Sequence, residues 1–277
     1  MEAARLAERV AIVSRWWSHC GARAVDALNR KGSALSVHLV KYTGKSPHAL
    51  HPKHLVDTPW HSWYLEHLGP GDVVLDVGCA NAAHTVKAAR QVKRVIGMDR
   101  DVTQLALAAA TVRGHALDNV HLFAWDLTRA FPFPASTFDA VLFLDVIEHL
   151  EPRLDVLREI RRVLKPTGRL LVSAPNRGTT WRHRLRHAGL FAFSDPDHKV
   201  EYTREELLAE LHAGGFVPDG PVLPVVYDTP WAGLIDVVGG LSLGVYARLN
   251  RWKREAALRR PEESIGFRVV ARCSGPP

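Results

Sequence analysis

The chain has 277 residues, 47% of them hydrophobic and 23% charged, a composition that excludes disordered, collagen-like and coiled-coil classes. A chain of this length buries on the order of 75% of its unfolded surface and needs no staple, while Cys20, Cys79 and Cys273, odd in number and without a CxxC pair, exclude a disulfide framework or zinc ribbon and fit a reducing cytoplasm. The net charge of +7 is local: residues 177–187 hold four arginines and no acid, and residues 248–260 hold six Lys or Arg against Glu255, so the rest is nearly neutral.

In chain order, residues 1–68 read as a helical cap or arm, with Ala, Leu, Val and Trp at 3-to-4 spacing and a turn-rich stretch from Tyr42 to Pro59. Charges at Glu2, Arg5, Glu8, Arg9 and Arg15 break any apolar run, so no signal peptide is expected. After Gly69-Pro70-Gly71, short apolar runs alternate with helical ones through a domain over 69–277 whose core is 70–175. Strands are expected near 72–77, 94–98, 119–123, 138–144 and 168–174, with helices near 82–91, 102–115 and 148–164, the rhythm of a doubly wound α/β fold. A helix over 203–214 opens on the Thr203/Glu206 capping box and closes at Gly214-Gly215. Two more strands are expected around 216–227 and 265–273, with an insert at about 229–263 before the last. Asp236 inside the apolar stretch from Thr229 to Ala247 would cost about 3 kcal/mol at a bilayer centre, which speaks against spanning.

The first strand runs through Asp76 into Gly78-Cys79-Ala80-Asn81-Ala82, so small residues occupy a strand-to-helix turn where backbone can approach a ligand. The second strand ends at Asp99, an acid placed to accept hydrogen bonds from both hydroxyls of a ribose. At these residues the chain resembles the class I S-adenosylmethionine-dependent methyltransferases, particularly the ubiquinone-type and small-molecule O-methyltransferase branch. Asp76 to Ala82 matches the D-x-G-C-G-x-G loop, with Ala80 and Ala82 at two of its glycine positions. Gly97-Met98-Asp99 matches the ribose acid, Ala124-Trp125-Asp126-Leu127 the adenine-edge segment, Phe131-Pro132-Phe133 with Phe138-Asp139 the fourth-strand entry, and Leu157-Arg158-Glu159 with Leu164 to Leu170 the fifth-strand lead-in. If position 80 takes a positive φ, its alanine strains the loop by roughly 1 kcal/mol.

The resemblance implies a Rossmann-like, seven-stranded methyltransferase sheet and S-adenosyl-L-methionine as cofactor. It places the cofactor along Asp76, Gly78, Cys79, Ala80, Asn81, Asp99, Arg100, Asp126, Leu127 and Asp145, with Asp99 on the ribose and Asp126 on the adenine amino group. The donor is already a sulfonium, so the protein has to align the acceptor and remove its proton. Asp145, Glu148 and His149 follow the fourth strand at i, i+3 and i+4, which on a helix is one face. His149 is the first candidate base, and loop-borne His198, in Asp195-Pro196-Asp197-His198, the second. In some relatives a similar segment binds a divalent metal, which implies Asp145, Glu148 and His149 as ligands. In others it only orders the loop.

Residues 176–202 form a substrate-side region whose arginines and Trp181, Phe191 and Phe193 suit an anionic, partly apolar acceptor, or else a small helix with its arginines in water. The insert pairs an apolar run with a basic tail containing Trp252, the pattern of a helix lying on anionic lipid, of a cleft cap or of a dimer face. The expected protein is a cytoplasmic methyltransferase, peripheral at a membrane surface if anywhere near one, monomeric or homodimeric. Its acceptor is a hydroxyl of a small or lipid-linked metabolite such as a quinone precursor, sugar or natural product. The alternatives are methylation of RNA, suggested by the basic net charge although the chain shows no RRM or KH signature and no nucleic-acid partner is expected, and a non-catalytic binding protein that keeps the fold.

Overall fold

In the computed structural model, which describes residues 2–46, 51–56 and 58–275, the elements run α1 (Glu2–Tyr42), β1 (Val73–Val77), α2 (Ala83–Ala89), β2 (Arg94–Asp99), α3 (Val102–Gly114), β3 (Val120–Ala124) and β4 (Phe138–Leu144). There follow α4 (Arg153–Val163), β5 (Leu164–Pro175), α5 (Thr180–His187), α6 (Arg204–Ala213), β6 (Phe216–Pro218), α7 (Ala232–Leu241), α8 (Leu243–Arg259) and β7 (Gly266–Cys273). These elements divide into two units. A sheet unit comprises residues 59–176, 195–223 and 266–277, and a helical unit comprises 1–58, 177–194 and 224–265.

In the sheet unit the strands lie in the order β3-β2-β1-β4-β5-β7-β6, and a two-residue eighth, Leu223–Pro224, pairs with β7. β1 to β5 are parallel, whereas β7 runs antiparallel to both β5 and β6. Parallel strands are covered on both faces, so β1 reads as the near-continuous apolar run Val-Val-Leu-Asp-Val and only its first residue is partly exposed. One face packs Leu75, Met98, Phe138 and Phe143 against the buried stripe Val156, Leu157, Ile160 and Val163 of α4. The chain reverses its direction of strand addition between β1 and β4, and ligands of such sheets bind beyond the strand ends at that switch point.

The expected strands and helices are found with their ends shifted by a few residues, and both arms of the Thr203/Glu206 capping box are formed. Two places differ. The helix expected over 148–164 begins at Arg153, after Pro152, and is preceded by a short 3-10 turn at Ile147–His149. The strand expected around 216–227 is reduced to the three residues of β6 and the pair Leu223–Pro224, and the insert that follows holds the two helices α7 and α8.

The helical unit gathers segments that are far apart in sequence. α7 runs alongside α1 in the same direction, and small residues set the spacing: a Cβ on Gly32 would meet the Gly233 carbonyl oxygen at 2.6 Å, and one on Gly240 would meet Leu39 Cβ at 2.7 Å. Asn29 clamps the start of α7, donating from Nδ2 to the Pro230 carbonyl (2.8 Å) and accepting at Oδ1 from Gly233 N–H (2.9 Å). Asp236 pairs with His51 Nε2 at 3.1 Å and accepts from Tyr246 Oη at 3.3 Å. Thr179 caps α5 and donates through Oγ1 to buried Asp228 at 2.6 Å.

Candidate active site

The turn after β1 is built from backbone that few side chains tolerate. Gly78 has φ 76°, and Ala80 and Ala82 stand at φ 44° and 64°, the left-handed region that alanine enters at a cost of about 1–2 kcal/mol. A Cβ at Gly78 would lie 2.6 Å from Val146 Cγ2, so the turn presses directly on the segment after β4. The Gly78 and Cys79 amides both donate to the Met98 carbonyl, at 2.8 and 3.1 Å. Cys79 is buried toward Gly97, burial pushes its thiol up, and only its backbone is offered to a ligand.

Acids hold this turn in shape. Asp76 is buried and accepts from Thr85 Oγ1 at 2.6 Å; burial pushes its carboxyl up to about 6 despite that bond. Asp99 accepts from Ala80 N–H through Oδ2 and from Asp101 N–H through Oδ1, both at 2.9 Å, while Asn81 Oδ1 accepts from Ala83 N–H at 3.3 Å. Asp126 accepts from the Thr128 amide and hydroxyl at 3.0 and 2.9 Å, which hold its carboxyl below the usual range. Leu127 is buried beside it and Arg100 is exposed.

Beyond β4 the chain turns sharply. Asp145 sits at φ 55°, a conformation aspartate tolerates better than most residues, and its Oδ1 accepts from Ser173 Oγ on β5 at 2.9 Å. The expectation that Asp145, Glu148 and His149 share one helical face is corrected here, because no α-helix forms until Arg153: Glu148 is buried, His149 is exposed and Asp145 is held by Ser173.

A second segment meets this turn. The amides of Lys199 and Val200 donate to the Glu148 carbonyl at 2.7 and 3.3 Å, and Tyr202 N–H donates to the Pro175 carbonyl at 3.2 Å, fixing the 195–202 loop beside β5. His198 is thereby brought against His149, ring centroids 4.7 Å apart and planes at 75°. Its Nδ1 lies 2.8 Å from Oε1 of buried Glu201, and its Nε2 lies 3.9 Å from Glu148 Oε1. Glu148 Oε2 is buried without a hydrogen-bond partner, and burial reinforced by the Asp145 charge pushes this carboxyl up to about 9.

Glu201 was missed from the sequence, although its i+3 spacing from His198 is a signal. So was the pair of buried Tyr64 and half-buried His84, whose Oη and Nδ1 are 3.0 Å apart. Burial lowers the His84 pKa, with the Asp145 charge acting in opposition.

In the helical unit Arg182 is engaged by Asp228 at 3.6 Å and by the Ala192 carbonyl at 3.0 Å. Trp181 and Arg184 line a cavity of about 210 Å³ with Tyr227, Asp228 and Glu263.

Residues 75–172, from β1 through most of β5, match the family model described as a methyltransferase domain. A 27-O-demethylrifamycin SV methyltransferase of Amycolatopsis mediterranei is 30% identical over 213 residues, covering 72% of this chain and 76% of the relative. The chain belongs to the class I S-adenosylmethionine-dependent methyltransferases. Its cofactor is S-adenosyl-L-methionine.

A 2-methyl-6-phytyl-1,4-hydroquinone methyltransferase of Synechocystis is 29% identical to this methyltransferase over 199 residues, 65% of the chain and 60% of the relative. The crystal structure of the [4+2]-cyclase SpnF superposes with a TM-score of 0.57 at 21% identity, over 78% of this chain and 81% of that one, a likeness of fold alone. The chain spans about half the length of the first curated relatives it matches.

Proposed function

We propose that this methyltransferase moves the methyl group of S-adenosylmethionine to a hydroxyl oxygen of a small or lipid-linked metabolite, with the cofactor along the β1 turn and with His149 and His198 serving proton removal. The observation that carries the reading is the facing pair of histidines, His198 braced by a buried carboxylate and His149 on the segment after β4 that lies against Gly78. The relative named for the 27-O position of a rifamycin and the one named for a phytyl hydroquinone support a hydroxylated small-molecule acceptor.

The chemistry asks little of the protein beyond alignment and a base. The acceptor oxygen attacks the methyl carbon, the carbon–sulfur bond breaks with its electron pair returning to sulfur, and the hydroxyl proton must leave. With Glu201 accepting from His198 Nδ1–H, Nε2 is the ring nitrogen that would take that proton. His149 is the exposed member of the pair and the first to meet an incoming acceptor. In this reading Asp99 exchanges its bond to the Ala80 amide for the ribose hydroxyls, Asp126 accepts from the adenine amino group, and the Gly78 to Asn81 backbone follows the methionine end. In the same reading Cys79, Arg100, Leu127 and Asp145 would border the cofactor.

A divalent metal fits the cluster, since ligand atoms of Glu148, His149 and His198 all lie within 4.8 Å of one another and Glu148 Oε2 has no other partner. Those three residues would hold it, with Asp145 outside the set; His198 Nε2 would then be a ligand in place of the base, and the metal would lower the pKa of an acceptor hydroxyl instead.

Radiolabelled methyl transfer to a panel of phenols, hydroquinones and polyhydroxylated natural products tests this reading. It predicts a methyl ether as product. A product methylated only at carbon or nitrogen, or cofactor binding without transfer to any hydroxylated acceptor, contradicts it.

A further inference from the structure

Eleven of the fourteen exposed large apolar side chains among the described residues lie in the helical unit. They are arranged in rows. On α7 and its N-cap, Trp231, Leu234 and Leu241 are 52%, 51% and 58% exposed at i, i+3 and i+10, on the side away from Gly233 and Gly240, which meet α1. On α1, Leu28, Leu35 and Tyr42 recur every seven residues, with exposed Lys31 on the same stripe. On α8, exposed Val245 and Trp252 alternate with exposed Arg248, Arg251 and Arg259.

Charge separates this unit from the other. Its segments contain 19 Lys and Arg against 9 Asp and Glu, a net +10, whereas the sheet unit has 17 against 20, a net −3. The one ionisable residue of α7, Asp236, is turned to His51 and Tyr246 and leaves the outer stripe uncharged.

We propose that the helical unit docks on the surface of an anionic phospholipid bilayer, its α7 stripe entering the headgroup boundary and the basic residues of α1 and α8 meeting lipid phosphates. Interleaved Arg, Lys, Trp and Leu on short helices is the chemistry of an interfacial helix. A second copy of the chain fits less well, because two faces from +10 units would repel. Nucleic acid fits less well too, because five of the eight apolar side chains on these rows, Leu28, Leu35, Leu234, Leu241 and Val245, are aliphatic and give a base nothing to stack on. The helices lie on the bilayer and do not cross it: none among the described residues is long and apolar enough, and ten-residue α7 is about 15 Å long against about 30 Å of hydrocarbon. Nothing here depends on the methyl acceptor.

Flotation of the full chain with vesicles of three parts phosphatidylcholine to one part phosphatidylglycerol, against pure phosphatidylcholine, tests the proposal. Binding is expected to the mixed vesicles only, and to fall as salt rises. The exposed-site pair Arg248→Gln/Arg251→Gln should weaken it about tenfold or more, and Trp231→Glu/Leu234→Glu/Leu241→Glu at least about as much, while affinity for S-adenosylhomocysteine stays at the wild-type value. Equal binding to both vesicle types, binding that survives the arginine pair, or a dimer abolished by the α7 triple variant in a chain that ignores vesicles would overturn the proposal.

Discussion

The two units are built on opposite rules. In the sheet unit, acidic side chains are turned onto nearby amides and hydroxyls: Asp76 onto the Thr85 hydroxyl, Asp99 onto the Ala80 and Asp101 amides, Asp126 onto the Thr128 amide and hydroxyl. Positive φ is adopted by Ala80 and Ala82 in the turn after β1 and again by Asp145 after β4. In the helical unit the inner faces are closed by glycine and Asn29, the outer faces carry cations and bare apolar side chains, and the charge is of the other sign. The sheet unit is organised around a small anion-lined site, the helical unit around a surface.

The largest expected effect breaks the helical unit alone. Gly233→Leu places a side chain against the Asn29 backbone, which cannot swing aside, and should cost about 3 kcal/mol in denaturant unfolding. Affinity for S-adenosylhomocysteine in native buffer should change little, because every residue assigned to the cofactor is in the sheet unit. Asp99→Ala is the converse change: calorimetry should show cofactor binding weakened by roughly 1 to 3 kcal/mol, the cost of two ligand hydrogen bonds.

Asp76 sharpens the contrast through pH. Its folded pKa, about 6, stands above the ordinary 3.8, so below pH 3.8 both states hold the proton and there is no penalty. As pH rises to 6 the unfolded chain releases its proton first, and stability is lost through that window. Asp76→Asn, which still accepts from Thr85, should therefore stabilise the cofactor-free protein by about 2 kcal/mol at pH 8 and hardly at all at pH 4. Smallest is the relief of the turn: Ala80→Gly or Ala82→Gly should each raise stability by about 0.5 kcal/mol, the left-handed strain removed less the added freedom of the unfolded chain.

Much of the sheet unit was legible because its signals are contiguous. Asp76 to Ala82 is one turn, Asp99 ends the neighbouring strand, and the positive φ of Ala80 follows from its place in a glycine motif. The face shared by Asp145, Glu148 and His149 was misread because spacing was converted to helix geometry while Pro152 delays the helix to Arg153. Glu201 escaped notice because its meaning depends on the Glu148 carbonyl capturing the Lys199 and Val200 amides, a contact across some fifty residues that no local pattern encodes. The helical unit was read in three separate pieces for the same reason: Gly32 and Gly233 acquire a purpose only once they face each other.

The paired histidines are where that reading is most exposed. His198→Ala should leave S-adenosylhomocysteine affinity within about twofold of wild type while methyl transfer to a hydroxylated acceptor falls about 100-fold or more, the usual worth of a positioned base. Transfer at the wild-type rate by a folded His198→Ala/His149→Ala protein would contradict the assignment.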